Sequence, residues 1–324
     1  MRRLAMIILP LLFLAGCTGT QEPPLKILLA VGEGQKVVFY PAGTGEADPL
    51  GSWDIGVTVV DLARLVGEKR LWVLTTSHLR AYPLQGSRED HAPDAAAPAL
   101  ELELGGECAA GKLVTGEQAL LVNCGDLGLW TVRASAPALK PVDREGDPEG
   151  TVYVLGPDDR VVRLQPGMQD FTLVYPNPPD DPIRHEVTLP EDLEALSADW
   201  NGELLGIAAG FSSSTSLYLW EAGSKDEPSE HGSEPDLSGL RWIQALPDGW
   251  LIVGKDAYVL RLNKNMQDPR SGSFVDAAVT PDAFVYLVGP GRMVAIDLLD
   301  PDLTEHGRSV GADARTVALF PTSD

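Results

Sequence analysis

Five histidines (His78, His91, His185, His231 and His306) and three cysteines (Cys17, Cys108 and Cys124) have the widest chemical range in this 324-residue chain. No histidine has another at i+2 or i+4, and neither Cys108 nor Cys124 sits in a C-x-x-C pair, so zinc has no local signature. The serine-rich stretch GFSSSTS, 210–216, lacks the G-x-S-x-G order that raises a nucleophilic serine on a strand-to-helix elbow. The glycine pairs in GEGQK (32–36), GTGEAD (43–48) and GPGRM (289–293) have no helix after them to meet a pyrophosphate, so they read as turns. No segment carries the alternating aspartates of a calcium loop. The acidic clusters Asp158-Asp159, Asp180-Asp181 and KDEPSEHGSEPD (225–236) read as solvated loops. Catalytic residues, a metal and a bound cofactor are therefore absent from the local motifs. Carboxylates gathered from distant segments stay open as the ligands of a metal-dependent hydrolase.

Cys108 and Cys124 do have a partner reading. They flank the turn TGEQ, 115–118, and strands folding about residue 116 pair positions that sum to 232, as 108 and 124 do. That places them across one hairpin within disulfide reach, where closing the loop stabilises by ~3 kcal/mol. Two free buried thiols are the other reading.

The elements that must carry these residues repeat. ILLAVGEGQKVVFY begins at Ile27, RLWVLTTSHLRAYPL at Arg70, ALLVNCGDLGLWTV at Ala119 and TVYVLGPDDRVVRL at Thr151. ELLGIAAGFSSSTSLYLW begins at Glu203, WLIVGKDAYVLRL at Trp250 and AFVYLVGPGRMVAIDL at Ala283. Each is an apolar run, a small-residue turn and a second run, the pattern of a hairpin. The turns centre near residues 33, 77, 125, 158, 212, 255 and 290, a mean step of about 43 residues. A further strand-like segment precedes most of them, as in VDLARLVGE, AAGKLVTGE, LSADWNGE, IQALPDG and DAAVTPDA. The chain ends on such a segment, RTVALFPTSD at 315–324, with no hairpin after it, while the hairpin at Ile27 has no such segment before it.

This spacing predicts an all-β, seven-bladed propeller, with six or eight as the error range. The C-terminal strand pairs with the N-terminal hairpin and closes the ring, leaving no open edge. The long steps are assigned to insertions at 87–99, at 175–184 and around Glu230. The tryptophans at 53, 72, 130, 200, 220, 242 and 250 are expected to fill space between blades, an aromatic binding surface being the alternative.

The first residues belong to an address. Arg2 and Arg3 precede an eleven-residue apolar run, 4–14, too short to span a bilayer but suited to a signal peptide. Leu14-Ala15-Gly16-Cys17 then resembles the lipobox of bacterial lipoproteins. The resemblance implies a signal peptide at 1–16, a diacylglycerol and an N-acyl chain such as palmitate on Cys17, and a tether over 17–24. The propeller then occupies 25–324. It places the protein in the bacterial cell envelope, outside the cytoplasm, and at the outer membrane of a two-membrane cell because Thr18 follows the cysteine.

Beyond residue 16 the chain holds 23 Lys and Arg against 47 Asp and Glu, a net charge near −24. The scattered cations argue against nucleic acid. The repeats resemble the loose units of YVTN- and WD-type propellers without a Gly-His to Trp-Asp pairing or a YVTN run. The lipoprotein of the outer-membrane barrel-assembly machinery, an eight-bladed quinoprotein-like propeller, is a weaker match. No recurring Asp…Thr-Gly…Trp motif is present, which also argues against pyrroloquinoline quinone. The resulting expectation is a lipid-anchored, non-catalytic binding or scaffold protein for an envelope protein, peptide or glycan. The alternative is a propeller hydrolase or lactonase with a metal on the channel axis.

Overall fold

A computed structural model describes residues 27–87, 90–262, 265–266 and 268–321. Its strands form seven antiparallel sheets, the only helices among the described residues being the single turns Gly125–Leu127 and Pro157–Asp159. The first blade reads, from inside out, Ala314–Pro321, Ile27–Glu33, Lys36–Pro41 and Gly51–Asp54. The inner strands of blades two to seven are Val59–Ala63, Lys112–Thr115, Val152–Leu155, Ala195–Asn201, Trp242–Leu246 and Asp276–Val279. In each of these blades the following strands are added outward in chain order. All seven inner strands run the same way along the axis. The face on which they start is called upper here, and the face on which they end lower.

The middle strands are apolar on both sides because each blade is covered by two neighbours. In Ile27–Glu33, Leu28 and Ala30 join a core shared with the second blade, and Leu29 and Val31 join one shared with the seventh. A strand's period-2 alternation thus assigns residues to two interfaces, and both are buried. The expected packing role of tryptophan is met at several joints. Trp53 meets Tyr82 of the second blade at 5.5 Å between ring centroids, and Trp220 of the fifth meets Tyr175 of the fourth at 5.2 Å.

The ring closes as the sequence predicts. Ala314–Pro321 runs antiparallel to Ile27–Glu33 with Leu28 opposite Phe320, Ala30 opposite Ala318 and Gly32 opposite Thr316. Gly32 makes that fit possible. A Cβ there would lie 2.6 Å from Thr316 Cγ2 and 2.9 Å from Val59 Cγ1, too close for any side chain.

Three sequence expectations change in detail. The hairpin at 151–164 is the inner pair of the fourth blade, Val154 facing Val162, whereas the other six hairpins are second and third strands. The equivalent hairpin of the fourth blade turns at 167–169, which makes its flanking steps about 43 and 44 residues. The short and long steps on either side of this blade came from a frame one strand out of phase, since adjacent antiparallel strands all look like hairpins. Second, the acidic stretch 225–236 is only partly loop. It contains the outer strand Ser229–Glu234, and Glu234 is buried against the guanidinium of Arg261 in the sixth blade. Third, residues 90–99 of the insertion at 87–99 fold back onto the first blade, where Trp53 Nε1 donates to Pro93 O at 2.9 Å and Ala92 enters the core.

Cys108 and Cys124 are joined, with sulfurs 2.00 Å apart and Cα atoms 5.2 Å apart. Their hairpin pairs Lys112 with Asn123, positions summing to 235, so the two cysteines are not ladder partners. A turn at Ala109-Ala110 instead lays Cys108 over Gly111. A Cβ on Gly111 would sit 2.4 Å from Cys108 Sγ, so the missing side chain makes room for the bridge.

Met1 to Lys26 lie outside the described residues. That span includes the signal peptide, Cys17 and the tether at 17–24.

Candidate functional site: the axial channel

The inner strands surround a channel of about 1090 Å³, and residues from all seven blades line it. An inner strand pairs with its blade on one edge only, so the N–H groups on its other edge need partners. Side chains from the preceding blade supply them. Asp276 of the seventh blade accepts from Val317 N–H at 2.8 Å, and Thr316 of the first accepts from Leu62 N–H at 3.1 Å. Asp61 of the second accepts from Leu113 N–H at 2.7 Å. Across the ring, Ser197 and Asp199 of the fifth blade accept from Ile243 and Ala245 N–H of the sixth at 3.1 and 2.8 Å. The three aspartates that line the channel, Asp61, Asp199 and Asp276, are thus all cross-blade caps.

Three of the capping residues, Asp61, Asp276 and Thr316, converge with Lys112 where the closing strand enters. The Thr316 hydroxyl lies 2.5 Å from Asp61 Oδ1 and 2.8 Å from Asp276 Oδ2. Lys112 Nζ stands 3.2 Å from Asp276 Oδ1 and 3.9 Å from Asp61 Oδ2. Burial pushes the Asp61 carboxyl above the ordinary range, with Lys112 opposing the shift. For Lys112, burial favours the neutral amine, but Asp276 and Asp61 outweigh it and raise the ammonium above its usual value. Thr316 has one proton to give, and a proton on Asp61, the carboxyl that burial raises, lets both carboxylate contacts be hydrogen bonds. The cluster joins blades one, two, three and seven.

Asp199 differs from them. Burial raises it from 3.8 to about 6, although backbone N–H groups of Ala245 and Trp200 pull it down. Its value suits a general acid or base, but its oxygens are engaged by backbone donors and no nucleophile is paired with it here.

Among the described residues, no three His, Cys, Asp or Glu side chains are placed to hold a metal ion. The histidines stay apart. His185 is buried with Nε2 3.2 Å from Ser224 O, and His78 stands 3.3 Å from Glu101. No helix among the described residues is long and apolar enough to cross a membrane.

Sequence reading found the inner strands but not the polar residues inside them. Asp61, Lys112, Ser197, Asp199, Asp276 and Thr316 all fall in the segments that precede hairpins or end the chain. A polar residue at alternate positions of an otherwise apolar inner strand was the available signal.

No protein-family model matches the chain, and no curated protein does. The likeness is to solved structures, and at these identities it concerns the fold. A functionally unknown protein from Desulfotomaculum acetoxidans aligns over 92% of this chain and 100% of its own, with 9% identity and a TM-score of 0.62. A protein from Lactobacillus plantarum covers 91% and 99% at 13% identity, with a TM-score of 0.56. Apo AztD from Citrobacter koseri covers 92% and 99% at 14% identity, with a TM-score of 0.52.

Proposed function

We propose that this chain is a lipid-anchored, extracytoplasmic β-propeller that acts as a non-catalytic binding or scaffold protein in a bacterial cell envelope. The observation that carries the reading is the run of Leu14-Ala15-Gly16-Cys17 directly after a short signal-type apolar segment. Each acyl CH₂ adds ~0.8 kcal/mol, so several chains on Cys17 hold a protein on a membrane where one would not. The use of the channel carboxylates as cross-blade caps supports a structural rather than catalytic lumen. The lack of a three-ligand metal cluster among the described residues weighs against the hydrolase alternative. A rigid disc of this kind offers loops on two faces to an envelope protein, peptide or glycan.

The test uses wild-type protein and Cys17→Ser, expressed in a bacterial host and recovered from envelopes. Wild type is expected in the membrane fraction, resistant to high salt because lipid and not charge holds it. Cys17→Ser is expected in the released fraction. Crosslinking before detergent extraction should then recover the same envelope component with wild type in repeated preparations. Salt release of wild type contradicts the anchor, and recovery of the bait alone contradicts the scaffold.

A further inference from the structure

Resting on the lipid-anchored reading above, we infer that the lower face of the disc is turned toward the bilayer. Ile27 lies opposite Pro321, at the lower end of the first blade, and it lines the channel wall. The chain therefore leaves the body from the lower face, close to the axis. Nine residues, 18–26, separate Ile27 from Cys17. Fully extended they reach ~35 Å at most.

The opposite orientation uses up that reach. From Ile27 the tether would cross two more strand spacings of ~4.8 Å to the rim, then climb the height of a strand. The strand Ile27–Glu33 has seven residues, which is ~23 Å at ~3.3 Å each. Side chains on the rim add to the path, and threading the channel instead would still use ~23 Å for the strand height, so little is left to reach a membrane beyond the upper face. With the lower face down, the same tether needs no detour.

The exposed apolar side chains agree with this placement. Val66, 87% exposed, occupies the lower turn of the second blade, and Leu299, 77% exposed, a lower turn of the seventh. These two blades flank the first, where the tether enters. Met168, 76% exposed, lies on the upper turn of the fourth blade, across the ring. The lower turns also carry Asp158, Asp180, Asp181, Asp300 and Asp302, whose repulsion from an anionic bilayer opposes this placement, so the reach of the tether is what decides it.

Energy transfer measures the orientation. Full-length Val66→Cys, Leu299→Cys and Met168→Cys variants are purified from envelopes, labelled with a donor dye and placed in phosphatidylethanolamine–phosphatidylglycerol vesicles that carry an acceptor lipid. Because the two faces are separated by ~20 Å or more, transfer from 66 and 299 should exceed that from 168 by about twofold. Equal or greater transfer from 168 overturns the inference while leaving the anchor intact. The same labels on a Cys17→Ser background should give no transfer. If they match the Cys17 proteins, the anchor itself fails and the orientation falls with it.

Discussion

Asp199 is the residue whose charge state the fold most clearly alters near neutral pH. Its folded value is raised from 3.8 to about 6 by burial, so the fold prefers the neutral carboxyl. That preference adds stability fully below about pH 4, and the stability is lost as pH rises through about 6. The effect is bounded by about 3 kcal/mol. Asparagine keeps an oxygen for the Ala245 N–H and carries no charge. Asp199→Asn should therefore melt higher than wild type at pH 7.5 and close to wild type at pH 4. An equal gain at both pH values, or a loss at pH 7.5, contradicts the assigned cause.

At the scale of elements, the inner strand is the unit that matters, and its polar residues hold neighbouring blades together. Thr316→Val keeps the shape of the side chain but removes the acceptor for Leu62 N–H and the donor to Asp61. Chemical denaturation should show a loss of about 1–3 kcal/mol, and Thr316→Ser should recover most of it. No difference between Val and Ser would mean that the hydroxyl contributes nothing. This is also the scale at which the sequence was most legible. The strands around Ile27, Arg70 and Phe284 announced themselves through apolar runs broken by glycine turns. The phase of the fourth blade did not, because its turns at 156–160 and 167–169 both join strand-like runs, and only tertiary pairing tells the inner pair from the next. The channel caps were hidden for a related reason. Asp61 and Asp276 lie more than two hundred residues apart, and no local spacing reports that Thr316 stands between them. The Cys108–Cys124 bridge was legible as a pair but not in register, since the turn over Gly111 depends on a missing Cβ.

The whole molecule is a ring shut by the two ends of the described chain. An open fan of blades would leave the apolar face of Ile27–Glu33 uncovered and its edge unpaired, and a strongly acidic chain would gain nothing by keeping it so. The latch of Asp276, Thr316, Asp61 and Lys112 spans four blades, so opening the ring also breaks polar contacts made by the buried Thr316 and Asp61. Opening should therefore coincide with global unfolding. Amide hydrogen exchange measures this directly at 28–31 and 316–320. The account predicts that these amides exchange only through global unfolding, as slowly as those of Leu71–Leu74 in the middle of the second blade. Exchange within minutes in both segments, while 71–74 stay protected, would show that the ends part freely and that the ring is not closed as described.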